Sequence, residues 1–150
     1  MRAVVQRVSR ARVSVAGRIT GEIGQGLLVL LGVMKDDSEA ELGLTARKIA
    51  GMRIFTDAEG KMNLDVSAVG GSVLVVSQFT LAAPTASGNR PSFSGAMEPE
   101  RAAKMVESFK QLLAEEHGLN VASGEFGAMM EVELVNEGPV TIIVDTAQRS

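Results

Sequence analysis

The 150-residue sequence has no Cys, no Trp and no Tyr, and a single His. Without cysteine there is no disulfide, thiolate nucleophile, iron–sulfur cluster or Cys-ligated zinc. One His excludes any site that needs two, and the all-carboxylate set that would remain is one zinc seldom adopts. No metal and no cofactor is expected. The five Phe are the only aromatics, too few for a surface that stacks successive bases on rings. The longest purely apolar run, Leu27-Leu28-Val29-Leu30-Leu31, is far short of the roughly 20 residues of a bilayer span. The start, Met1-Arg2-Ala3-Val4-Val5-Gln6-Arg7, alternates too early and carries a second Arg too soon for a signal peptide. Fifteen basic against eighteen acidic residues leave a formal charge of −3, which argues against coating DNA or RNA by bulk positive charge. Any RNA contact has to be local. The expectation is a cytoplasmic protein with no membrane and no DNA partner.

What the chain does contain reads as strands and two helices. Residues 4–8 and 12–15 alternate partly between polar and apolar, Gly17-Arg18 reads as a hairpin turn, and residues 19–23 return before Gly24-Gln25-Gly26 turns the chain again. Residues 27–33 are a continuous apolar run, the pattern of a strand covered on both faces. The period then changes. Ser38 followed by Glu41 is a capping box, and Leu42, Ala46, Ile49 and Ala50 recur at helical spacing up to Gly51. Residues 53–56 read as another strand closed by a turn at 57–60, and 73–76 as a second buried strand. Pro84, Gly88, Pro91 and Gly95 make 82–96 an ordered loop, of a length that in a compact domain usually signals function. Pro99 opens the clearest helix, with Ala102, Val106, Phe109 and Leu113 on one stripe, and His117-Gly118 closes it. The tail reads as two strands, 129–135 and 140–144, on either side of Gly138-Pro139. The fold class is α/β: a single domain, residues 1–150, of mixed, largely antiparallel β-sheets with two main helices.

Most chemistry-bearing residues have a plain structural reading. His117 sits where a helix favours a cation. The glycines of residues 21–26 match neither the dinucleotide nor the P-loop pattern. Asp36-Asp37 and Glu115-Glu116 fall at a helix start and a helix end and read as solvated surface, and Met129-Met130 as core filler at a strand edge. Two features resist that treatment. Ser77-Gln78-Phe79-Thr80 ends a buried strand with three hydrogen-bonding side chains, which must be satisfied or aimed at a ligand. Asn136-Glu137-Gly138-Pro139-Val140-Thr141 places between two strands a proline that cannot donate to a ladder, either as a plain turn or as a rigid device exposing two carbonyls.

These segments, taken with Val5-Gln6-Arg7-Val8, the Gly26-to-Val33 run, Arg53-Ile54-Phe55, Lys61-Met62-Asn63 and Gly88-Asn89-Arg90-Pro91-Ser92-Phe93, resemble in order and spacing the D-aminoacyl-tRNA deacylase family of bacteria and eukaryotes. The resemblance runs from Met1 to about Thr146. It implies hydrolysis of the ester joining a D-amino acid to the terminal adenosine of tRNA, and of glycine mischarged onto alanine tRNA. It also implies a homodimer whose pockets lie at the subunit interface. Ser77, Gln78, Phe79 and Thr80 would form one wall and carry the catalytic contacts. The partner subunit's Gly138 and Pro139, held cis and fixed by the arginine matching Arg7, would form the other and reject an L-side chain sterically. The terminal adenine would rest on Phe126 and Met130, against Ala102. For the chemistry, a ribose 2′-hydroxyl of the substrate would activate water while the Phe79 amide stabilises the oxyanion. The rival route uses the Thr80 hydroxyl as nucleophile, and the sequence identifies no base for it. Where family members often carry Tyr and charged residues, this chain has Ala82-Ala83-Pro84 and Ala86-Ser87, so loop contacts to tRNA are not carried over. Two other readings remain at this point: a Thr80 esterase acting on small esters, and a non-catalytic dimer that binds tRNA 3′ ends.

Overall fold

The computed structural model describes residues 1–148. Its elements in chain order are β1 (Arg2–Val15), β2 (Arg18–Ile23), β3 (Gly26–Gly32), α1 (Glu39–Gly51), β4 (Phe55–Thr56), β5 (Met62–Leu64), β6 (Ser72–Ser77), a 3-10 turn (Phe79–Ala82), α2 (Pro99–Glu115), β7 (Asn120–Ser123) and β8 (Glu131–Asp145). The main sheet is mixed. β1 is antiparallel to β2, β3 and β8, while β3, β6 and β7 run parallel to one another. The connections between the parallel strands carry α1 and α2, as parallel pairing requires.

The two helix starts follow from their caps. Ser38 and Glu41 form the reciprocal box at α1, and Pro99 occupies the first turn of α2, where its missing N–H costs nothing. At the far end of α2, Gly118 takes φ +65° and the Leu119 amide donates back to the Leu113 carbonyl at 3.0 Å, as in a glycine-terminated helix. The first hairpin turns at Ala16-Gly17, both with positive φ, because Arg18 already pairs with Val15.

Several sequence expectations are corrected. The predicted strands 4–8 and 12–15 are one strand, β1. Ser9 and Arg10 are both exposed at a bulge between Val8 and Arg10, which interrupts the alternation without breaking the strand. The predicted strands on either side of Gly138-Pro139 are likewise a single β8. Asn136 pairs with Val8 and Thr141 with Gln6, so residues 137–140 stand opposite Arg7 alone and bulge out of the ladder. The 53–56 strand shrinks to β4, since the Ile54 carbonyl is taken by the Arg7 side chain instead of a neighbouring strand. Asp37 is buried, not solvated: its carboxylate accepts from the Met1 ammonium at 2.7 Å and from the Met34 amide at 2.7 Å.

The parallel strands are covered on both faces, which explains their unbroken apolar sequence. Leu27, Val29, Leu31, Val73 and Val75 pack with Leu42, Ala46 and Ile49 of α1 and with Val106, Phe109 and Leu113 of α2. Leu28, Leu74 and Val76 point the other way, into a second core with Val8, Ala11, Val13 and Ile23. The sheet curls around that second core until β2 meets β7. At Gly21 a Cβ would come within 2.4 Å of the Ser123 carbonyl oxygen, so only glycine permits the approach. The first core leaves the C-terminal end of β6 and the N-terminal end of α2 facing each other, and the candidate site forms there.

Candidate active site

β6 ends at Ser77, and the next amide, that of Gln78, donates to the Leu31 carbonyl at 2.7 Å. This bond pins the polar segment to the end of β3 before the chain tightens into the 3-10 turn. Leu81 and Ala83 amides close that turn on the Gln78 and Thr80 carbonyls at 3.2 and 3.1 Å. Gly32 is required beneath it, because a Cβ there would lie 2.9 Å from the Leu81 Cβ and 3.0 Å from the Gln78 oxygen. The Gln78 Nε2 donates to the Thr80 Oγ1.

Opposite this segment lies a cavity of about 390 Å³. Ser77, Gln78 and Phe79 line one side, Ala102 and Val106 of α2 another, and Phe93 and Phe126 approach from two loops. The rings of Phe79 and Phe93 meet edge to face, with centroids 5.1 Å apart and planes at 75°. The lining is largely apolar. Its one carboxylate, Glu98, accepts from the Arg101 amide at 3.2 Å and so caps α2. No imidazole or ammonium lines the cavity, and among the described residues no group of three or more His, Asp or Glu side chains is placed to hold a metal.

The other predicted residues gather elsewhere. Arg7 lies on the buried face of β1; its Nε donates to the Glu137 carbonyl at 3.0 Å and its Nη1 to the Ile54 carbonyl at 2.6 Å. It thereby grips the residue just before Gly138-Pro139, whose peptide is cis and which is exposed on the β8 bulge. Within one chain, Arg7, Gly138 and Pro139 line no part of the cavity that holds Ser77 and Phe79. Met130 is half-buried, packed over Gly124 at the second core, and is not among the residues that line the cavity. Thr80 is exposed at the rim and is not part of the lining. Sequence reasoning missed the Ile54 carbonyl, a backbone group with no signature, and gave no role to Phe93, whose position in a Gly- and Pro-rich loop was the available signal.

The model of one protein family, D-Tyr-tRNA(Tyr) deacylase, matches residues 4–145. The chain belongs to that family. The protein is thus a hydrolase of D-aminoacyl-tRNA, and the deacylase has solved neighbours that share its whole architecture. A c-Myc DNA unwinding element binding protein is 42% identical with a TM-score of 0.92, the match covering 97% of this chain and 99% of that one. A probable eukaryotic D-amino acid tRNA deacylase is 17% identical with a TM-score of 0.82, over 95% and 97% of the two chains. The second likeness is one of fold. No helix of the deacylase, among the described residues, is long and apolar enough to cross a membrane.

Proposed function

We propose that the deacylase is a cytoplasmic homodimer that proofreads chirality, with each site built from the cavity of one subunit and the β8 bulge of its partner. The observation that carries this reading is the separation just described. The bulge gripped by a buried Arg7 is exposed, and neither Gly138 nor Pro139 is among the residues that line the cavity of Ser77 and Phe79 in the same chain. Main-chain carbonyls held by a guanidinium accept the ammonium and α-hydrogen of a D-aminoacyl group and clash with the side chain of an L-group. Glycine has no side chain to reject, so glycine mischarged onto alanine tRNA is a substrate as well. The tRNA acceptor 3′ end enters with its terminal adenine over Phe126 and Met130, against Ala102.

The cavity supports substrate assistance over an enzymic base. The 3-10 turn leaves the Phe79 and Thr80 amides without a helical acceptor, and the Phe79 amide is the oxyanion donor. A donor of this kind is worth on the order of 10²–10³ in rate. The lining holds no imidazole or amine, and its one carboxylate, Glu98, sits at the start of α2 where it accepts from the Arg101 amide, so in this reading water is oriented by the ribose 2′-hydroxyl of the substrate. The DNA-binding name of one neighbour is not carried over, since a formal charge of −3 opposes a duplex partner.

Incubating the protein with D-Tyr-tRNA, L-Tyr-tRNA and D-tyrosine ethyl ester separates the readings. Loss of the D-aminoacyl-tRNA alone is the expected result. Cleavage of the ethyl ester at a comparable rate would move the reading to a Thr80 esterase, and cleavage of none to a binding protein.

A further inference from the structure

Phe93 sits in the loop that leads from the 3-10 turn to α2. The far end of that loop is tied down by backbone bonds, Lys35 amide to Gly95 carbonyl at 2.9 Å and Met97 amide to Val33 carbonyl at 3.0 Å, and by a bridge between Met34 and Ala96. Nearer the cavity, the ring of Phe93 rests edge-on against that of Phe79. Both rings line the cavity, yet both remain open to solvent, 37% for Phe93 and 57% for Phe79. Two exposed rings held in one geometry reflect the directional preference of aromatic pairs as well as area burial. Phe79 is the residue whose backbone enters the 3-10 turn, so a force on its ring acts on the wall that faces the substrate.

We propose that Phe93 is a positioning residue for deacylation: through its edge-to-face contact it fixes Phe79, and with it the wall of residues 77–80, against α2. The inference rests on the reading of this cavity as the deacylation site. Acting through Phe79, Phe93 sets the rate of the chemical step more than the affinity for tRNA, because small displacements of a positioned group cost rate steeply.

The test is kinetic. Phe93→Leu keeps an apolar side chain of similar bulk at an exposed position and removes only the ring. It is expected to lower kcat for D-Tyr-tRNA about fivefold, within the roughly 2- to 10-fold that an aromatic pair is worth, with KM within twofold and the melting temperature unchanged. Phe93→Tyr keeps the ring and restores kcat. Phe79→Leu shows the same loss, and the double variant loses no more than either single one, as coupled residues do. A wild-type kcat in Phe93→Leu, or losses that multiply in the double variant, would overturn the proposal. Phe126→Ala tests the underlying reading separately. It raises KM if the cavity holds the acylated adenosine, whereas an unchanged KM shows that the cavity is not the site and removes the basis for Phe93 as well.

Discussion

Thr80 is oriented by its neighbour and not by a base. Its hydroxyl oxygen accepts from the Gln78 side-chain amide, a group that cannot take a proton, and the one carboxylate of the cavity lining is engaged in capping α2. A hydroxyl nucleophile needs an adjacent acceptor for its proton. Replacing Thr80 by Ala is therefore expected to keep D-Tyr-tRNA hydrolysis within about tenfold of the parent, the range of a lost positioning contact. A drop to background in a variant that folds, as judged by circular dichroism, would restore the nucleophile route. At this scale the sequence was informative where it broke a pattern. Ser77, Gln78 and Thr80 stand out as polar groups closing an apolar strand. Arg7 entered only through the family resemblance; in the structure it shares the parity of Ala3 and Val5 on β1 and is buried with them, as a charge seldom is without partners. Its partners were not legible, because both are carbonyls, of Glu137 and Ile54.

Among the elements, the β4–β5 hairpin shows how one side chain stands in for secondary structure. Asp57 Oδ1 accepts from the Lys61 amide at 3.0 Å and the Glu59 amide at 2.9 Å, and these bonds, the Lys61 amide first, hold its carboxyl below the ordinary range. A carboxyl with a depressed native pKa adds stability that is present above its unfolded value and lost as pH falls through the native one. Asp57→Ala is thus expected to melt below the parent at pH 7, with the gap beginning to narrow below about pH 4, where the carboxyl of the unfolded chain takes up its proton, and closing as pH falls through the lower native value; a gap that is constant from pH 7 to pH 2 would contradict this. Helices were the most legible elements, since the capping box, the first-turn proline and the terminal glycine are local signals. Strand continuity was not local. β1 and β8 each read as two strands because the bulges at Ser9 and at residues 137–140 break the period of two, and only the pairing of the two strands shows that each continues. β7 has four residues, too few for a period to declare itself, and its place is fixed by parallel pairing with β6.

On the scale of the whole molecule the question is what covers β8. The strand runs for fifteen residues and among the described residues pairs with β1 alone, and it carries Ile143 at 71% and Val135 at 39% exposure on either side of the bulge. A long edge with bare apolar side chains is a surface that proteins bury or blunt with charge. In the proposed homodimer a second subunit would cover this edge and in the same step deliver the bulge to the cavity of its partner. Stability and activity then depend on association in different ways. Ile143→Asp places a charge on that surface without touching either core, so the isolated subunit is expected to keep its fold while light scattering shows the mass of one chain. Its D-Tyr-tRNA hydrolysis should fall by at least a hundredfold, because each cavity then stands without its second wall. The parent should behave alike on dilution, with activity per subunit declining as the dimer fraction declines. A one-chain species that retains full activity and full preference for the D-ester would place the chiral wall within a single subunit, and the bulge gripped by Arg7 would then need another use.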